Sequence, residues 1–274
     1  MELGEKKHEL ASKGIGIAAI TYDRSELLAE FAARKGIKYP LLGDLDSKMI
    51  RAFGILNDNF PPNHEWYGVP FPGTYLVNER GVVIAKYFEE DHRERFTASG
   101  VLVKELNIGL DGRSTEVETP HLKLRHSTSD ETVRPGNRVT LVLDVELKAR
   151  MHVYAPGVKG YKPIEWRTKD STGWLFHGLS LPSSKMLHLP AIQETVPVYE
   201  GRFRITRDLT VGQAGEVRPL LAADGALRIE DSFYYQACDD RICYAPQTIP
   251  IRWMFRYANH DGQRSPVTLR KRGE

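Results

Sequence analysis

The spacing of apolar positions changes near residue 110. Before it, short apolar runs alternate with stretches of helical period. Residues 1–13 carry Leu3 and Leu10 with polar residues between them, which predicts a helix ended by Gly14. Residues 15–21 are nearly all apolar, the pattern of a short strand buried on both faces. Asp23 offers an N-cap to a helix bearing Leu27, Leu28, Phe31 and Ala32, and Gly36 stops it. Residues 39–42 predict a second strand, and Asp46 caps a helix with Met49, Ile50 and Phe53. Residues 74–77 and 82–87, around Asn78, Glu79, Arg80 and Gly81, predict a β-hairpin. A last helix is expected over residues 98–105. This alternation predicts an open α/β sheet with helices on its faces.

Residues 109–118, with Gly109, Gly112, Ser114 and Thr115, read as a linker. Beyond them the period becomes two. Apolar and polar residues alternate over 139–147, 203–209, 217–221, 232–235 and 248–255, with glycine and proline between the runs. That pattern predicts an all-β sandwich of short antiparallel strands. The expected organisation is therefore an α/β domain over 1–108, the linker, a β-sandwich over 119–258 and a basic tail over 259–274 that ends in Arg270, Lys271 and Arg272.

The length of 274 residues suits two domains. Hydrophobic residues at 41% and charged residues at 27% exclude a disordered or membrane-embedded chain. The longest apolar run, 15–20, falls far short of the roughly 18–20 residues of a membrane span. Lys+Arg 38 against Asp+Glu 36 leaves a net charge of +2, so nothing calls for a nucleic-acid partner. The charged amino terminus has no apolar segment of a secretory signal. No cofactor is implied. His8, His64 and His92 are scattered without partners at ligand spacing, so each reads as surface and no metal is expected.

Chemistry is concentrated in the only two cysteines. They lie in Tyr234-Tyr235-Gln236-Ala237-Cys238-Asp239-Asp240-Arg241-Ile242-Cys243-Tyr244-Ala245-Pro246, flanked by strand patterns. C-x₄-C at a tight hairpin places Cβ atoms about 4.5–5.5 Å apart, near disulfide reach. As a staple, a loop of about six residues contributes only roughly 2 kcal/mol, against about 4.7 for a hundred-residue loop. As a redox pair, one thiol can resolve a mixed disulfide formed by the other. A zinc site lacks two further ligands. Tyr234, Tyr235, Tyr244 and Pro246 can shield the pair. Asp239 and Asp240 raise a nearby thiol pKa whereas Arg241 lowers it, with no net sign legible from sequence. His152 and Tyr154 can line the pair, although packing is the simpler role for both. Trp166, Trp174 and Trp253 are expected in the core.

Two resemblances bear on this chemistry. GIGIAAITYDRSELLAEFAARKGIKYPLLGDLDSKMIRAFGI (14–55) and GVPFPGTYLVNERGVV (68–83) resemble the alkyl hydroperoxide reductase/thiol-specific antioxidant, or redoxin, family. The resemblance implies a thioredoxin-like fold in which Pro72 takes the place of the proline before the hairpin, often cis in that fold. On the rarity of cis X–Pro bonds alone, Pro70 and Pro72 are expected merely to shape a loop entering a strand, and the resemblance raises a cis bond at Pro72 to even odds. The family's reactive cysteine, at the head of the helix after the first core strand, has no counterpart, and neither has that strand. Without a thiolate this half is not expected to act as a peroxidase. A sheet lacking a central strand exposes edges and apolar faces, which predicts a true start upstream of Met1 over a structural remnant.

YYQACDDRICYAPQTIPIRW (234–253), MHVYAPG (151–157) and VYEGRFRI (198–205) resemble the amino-terminal domain of the thiol:disulfide interchange protein DsbD. This implies an immunoglobulin-like sandwich whose Cys238 and Cys243 relay electrons to protein thiol or disulfide partners outside the cytoplasm, with the second cysteine attacking substrate. The best-known members have one more residue between the cysteines. The family's membrane-spanning electron donor and terminal thioredoxin-like domain are absent. The expected protein is a thiol–disulfide oxidoreductase of antioxidant type, whose β-domain in a complete chain would exchange electrons with a redoxin thiol. The alternatives are a binding module with a structural disulfide and a peroxidase whose amino terminus is missing.

Overall fold

The computed structural model describes residues 2–88, 93–106, 114–189, 193–263 and 266. Readings that fall on residues 109–113, on His92 and on the basic cluster Arg270, Lys271 and Arg272 lie outside them. The chain divides into two compact units, Met1–Ser99 with His260–Glu274, and Gly100–Asn259. These divisions fall near 100 and 260, against 108/119 and 259 expected from the sequence.

The first unit is α/β, as expected. The single helix expected over 1–13 is two, α1 (Glu2–Glu5) and α2 (Lys7–Ser12), separated by a turn at Lys6. Strand β1 (Ala19–Thr21) pairs in parallel with β2 (Leu41–Gly43) across helix α3 (Ser25–Lys35). β1 is not buried on both faces. Among the described residues it pairs with β2 alone, and Ile20 is 41% exposed. Asp23 does not cap α3, because its carboxylate accepts the Thr21 hydroxyl at 2.6 Å and Arg24 stands at the cap. Gly36 ends α3 in the left-handed region (φ 64), which glycine adopts without a Cβ clash. Asp46 does not cap α4 (Lys48–Ala52) either. Asp44 does so from further back, its Oδ2 accepting the Ile50 N–H at 2.8 Å, while Asp46 lies 3.7 Å from Lys48 in solvent. β3 (Gly73–Val77) and β4 (Val83–Phe88) form the expected hairpin, its turn tied by Asn78 Oδ1 to the Arg80 and Val82 N–H groups. Pro72 leads into β3 through a trans bond, since no described peptide is cis. β5 (Arg95–Phe96) completes the unit.

Helix α5 (Ala98–Leu106) runs into the second unit, where Lys104 meets Asp208 at 2.8 Å. The unit is a β-sandwich. One sheet orders β12 (Trp174–Ser180), β15 (Arg202–Val211), β9 (Asn137–Leu147), β7 (Leu122–Thr128) and β6 (Ser114–Glu118). The expected linker is therefore partly a strand. Residues 114–118 pair along Ser127 to Lys123 as an exposed edge, and polar side chains suit such an edge. The facing sheet orders β11 (Glu165–Arg167), β16 (Ala226–Tyr235), β18 (Gln247–Tyr257) and β8 (Thr132–Val133). Period-two alternation sends Leu141, Leu143 and Val145 from β9 to meet Ile229, Phe233, Ile251 and Phe255 in one core. Trp166 and Trp253 join it as expected, while Trp174 is only half-buried against it. The strand expected over 217–221 is instead helix α6 (Ala214–Val217) running into a 3₁₀ turn, Arg218–Leu220. A reciprocal cap between Gln213 and Glu216 starts the helix, and Pro219 favours the turn over a ladder strand.

A third sheet orders β13 (Lys185–Leu189), β14 (Glu194–Glu200), β10 (His152–Tyr154) and β17 (Ala237–Cys238). One of its faces sends Val153, Tyr199 and Ala237 into the main core. The other carries Tyr154, Val196, Val198 and Cys238 as a separate apolar cluster, with Val158, Tyr161, Leu187 and Leu189 against it.

Candidate functional site

The chain turns back on itself directly after β17. The Asp239 N–H donates to the Ile242 carbonyl and the Tyr244 N–H to the Ala237 carbonyl, each at 2.9 Å. Cys238 and Cys243 thus face each other across an antiparallel bridge, with Cα atoms 4.0 Å apart and a disulfide between them. Asp239 builds this turn. Its Oδ1 accepts the Arg241 and Ile242 N–H groups at 2.8 Å, and its Oδ2 accepts the Tyr244 hydroxyl at 2.8 Å. These donors, the Ile242 amide foremost, hold its carboxyl below the usual range, and the same carboxylate pushes the Tyr244 phenol up. Asp240 and Arg241 are exposed at the tip beside Ile242, which is 56% exposed.

The two sulfurs sit in different surroundings. Cys238 is 1% exposed, whereas Cys243 lies on the surface. Register explains the burial of Cys238. Opposite residues on antiparallel strands share a face, so the pairs Cys238↔His152, His152↔Glu200 and Tyr154↔Val198 place all five side chains on the outer face of the third sheet. Tyr154 reaches from there to within 3.7 Å of Cys243 Sγ through its hydroxyl. The Tyr161 ring stacks on Tyr154 at 4.4 Å, and its hydroxyl donates to Glu194 Oε2 at 2.5 Å. That bond to Glu194 pushes the Tyr161 phenol up to about 12. Burial, with Glu194 nearby, also raises the Tyr154 phenol, so it keeps its proton.

His152 is 3% exposed, and its Nε2 has no hydrogen-bond partner. Its ring edge meets Tyr154 at 5.6 Å. Burial pushes this imidazole below the ordinary histidine range, while Glu200, Asp240 and Asp239 pull it back up.

The structure therefore brings together Cys238, Cys243, Asp239 and Tyr244, with Asp240 and Arg241 on the same tip. Tyr235 does not face the sulfurs. It is buried in the main core, bonded to Thr119 at 2.8 Å and to Gln247 at 2.6 Å. Tyr234, on the opposite face of β16, stacks under the Arg167 guanidinium at 4.0 Å. Pro246 is half-buried on the way back into β18, and Pro72 belongs to the other unit. Sequence reasoning ranked His152 and Tyr154 as packing residues first and missed Tyr161 and Glu194. The His-x-Tyr spacing of β10, which puts both side chains on one face, is the signal that points to the first two. Among the described residues, no group of three or more His, Cys, Asp or Glu is placed to hold a metal.

A sandwich with a hairpin disulfide, joined to an α/β unit, is the architecture of a thiol-redox fusion. Residues 1–86 match the AhpC/TSA family, and residues 124–252 match the amino-terminal region of the thiol:disulfide interchange protein DsbD. Two proteins from two strains of Mycobacterium tuberculosis, provisionally named peroxiredoxins, are 30% identical over 84 residues, which is 29% of this chain and 50% of each relative. The chain thus spans half the length of these curated relatives. Among solved structures, the N-terminal periplasmic domain of ScsB from Proteus mirabilis is similar at 14% identity and a TM-score of 0.33, over 52% of this chain and 49% of that one. No described helix is long and apolar enough to cross a membrane.

Proposed function

We propose that the chain exchanges dithiol and disulfide with protein partners at Cys238 and Cys243, and that partners engage Cys243. The observation that carries this reading is the asymmetry of the pair, Cys243 an exposed residue and its bonded neighbour Cys238 1% exposed. Exchange requires in-line approach to a sulfur, and only Cys243 offers that approach. A partner thiolate attacks Cys243 Sγ, the Cys243–Cys238 bond breaks, and its electron pair leaves on Cys238. A second partner thiol then attacks the partner's own sulfur, releasing Cys243 as a thiolate. The net result is an oxidised partner and a reduced pair, and the reverse sequence delivers the electrons onward. The Tyr154 hydroxyl, 3.7 Å from Cys243 Sγ and kept protonated by its surroundings, stands where it can donate to the thiolate forming there.

Trapping tests the assignment. Cys238→Ser is expected to accumulate a mixed disulfide on Cys243 when mixed with a dithiol protein disulfide, visible as an added mass. Cys243→Ser is expected to form little or none, because Cys238 is covered. The pair should titrate at a midpoint near or above about −250 mV. A midpoint below about −300 mV would mark a structural bond, and equal trapping on both cysteines would remove the assignment to Cys243.

A further inference from the structure

The exchange reading leaves one problem open and one buried group unused. When Cys238 resolves a mixed disulfide on Cys243, it must do so as a thiolate, yet it lies among Tyr154, Val196 and Val198. Apolar surroundings disfavour a thiolate. Directly across the ladder stands His152, whose Cβ is about 4.5–5.5 Å from that of Cys238 at such a pairing. Its imidazole is 3% exposed with an unpartnered Nε2. Buried polar atoms are normally bonded, yet Nε2 stays unpartnered although Glu200 shares this face. In the disulfide form Nε2 makes no hydrogen bond to either sulfur, so it is open to bond the Cys238 thiol that reduction creates.

We propose that His152 accepts the Cys238 proton in the resolving step, an inference that rests on the exchange reading above. The Cys238 S–H proton passes to His152 Nε2. The thiolate attacks Cys243 Sγ, a new Cys238–Cys243 bond forms, and the bond from Cys243 to the partner sulfur breaks. The partner leaves with the electron pair as a thiolate and takes its proton from the imidazolium or from solvent. The partner gains two electrons and the cysteine pair loses two. The charged groups facing His152 favour this transfer. Glu200 lies opposite it on β14, and Asp239 and Asp240 lie at the turn after β17. All three are acidic and stabilise an imidazolium. Burial keeps the ring neutral beforehand, so it is available as an acceptor near neutral pH.

The test uses the full chain, reduced and mixed with an equimolar dithiobis-nitrobenzoate. The chain has only two thiols, so colour release reports two events. The first is attack by Cys243, and the second, independent of reagent concentration, is resolution by Cys238. In the native chain the second phase is expected to vary little with pH between neutrality and pH 9. In His152→Phe it should slow by about a hundredfold near pH 7, the lower end of general-base effects. Its rate should then climb about tenfold per pH unit as the thiol ionises unaided. His152→Gln keeps a polar group but accepts no proton at this pH, and should show the same slope, which a packing role would not produce. The first phase should be unchanged in both. Second phases at the native rate and with the native pH profile in both variants would overturn the proposal. Failure of the exchange reading looks different. There the first phase is absent, or survives in Cys243→Ser and not in Cys238→Ser, whatever stands at position 152, and both proposals fall together.

Discussion

Asp231 occupies a core position that alternation along β16 assigns to an apolar residue, between Ile229 and Phe233. Its Oδ2 accepts the indole N–H of Trp253 at 2.7 Å and of Trp166 at 3.1 Å. Burial raises its carboxyl, against the pull of both indoles and Arg207. Replacing it with leucine leaves two buried donors without acceptors, at about 1–3 kcal/mol each. Asp231→Leu should therefore lower stability by about 2–6 kcal/mol in urea unfolding, whereas Asp231→Asn keeps an acceptor and should lose far less. The pH dependence separates the variants further. A raised folded pKa means that the native state holds the proton more tightly than the unfolded chain, whose aspartate titrates near about 3.9. The stabilisation is complete below that value and is lost as pH rises through the folded pKa. The native chain should thus lose ground to Asp231→Asn as pH rises above about 4, and a leucine variant as stable as the native chain at neutral pH would sink this account. The two tryptophans were legible as core residues. Asp231 was not, because its partners lie 65 and 22 residues away and a lone acid in a strand reads as solvent-facing.

At the scale of elements, legibility followed sequence distance. The cysteine hairpin is closed by contacts within seven residues, so spacing and flanking strand patterns were enough to place it. Its lining was hidden, because Tyr154 meets Cys243 across 89 positions and only strand register brings them together. Helix starts were misread where two acids compete. Asp44 outranks Asp46 because its Oδ2 meets the Ile50 N–H at 2.8 Å, a geometry that composition does not encode. The turn after β17 is where a local element controls the proposed chemistry. In the disulfide form a covalent bond holds it closed. In the dithiol form the three bonds to Asp239 hold the sulfurs near one another. Removing them frees the dithiol form more than the disulfide. Asp239→Ala should therefore move the midpoint to less negative values by about 20–40 mV, the equivalent of one or two hydrogen bonds. Asp239→Asn, which retains Oδ1, should move it less. A midpoint that stays put or turns more negative in the alanine variant would show that the turn closes without Asp239.

Across the whole molecule the two units are unequally built. In Gly100–Asn259, β9, β15, β16 and β18 pair on long ladders over a core whose residues are almost wholly buried. In the other unit β1 to β4 form a parallel pair and a hairpin, and Leu42, Met49, Val83 and Ile84 are exposed. Two-stranded sheets are marginal by themselves, so amide hydrogens there should exchange through local opening, while those of the sandwich wait for global unfolding. Hydrogen exchange read by mass should find β9, β15, β16 and β18 protected orders of magnitude longer than β1 to β4, and equal protection would refute that ranking. The same measurement on the reduced chain bears on function. A redox carrier must be folded in both states, and this disulfide closes a loop of sequence separation 5, which limits its stabilisation to about 2 kcal/mol. Reduction should therefore speed exchange around residues 237–244 and along β10, where the freed sulfurs and the outer face of the third sheet lie, and leave the central ladders nearly untouched. Loss of protection throughout β9 and β18 on reduction would mean that the bond holds the sandwich together. Cys238 and Cys243 would then be a staple, and electron relay through them would require the domain to unfold at every turnover.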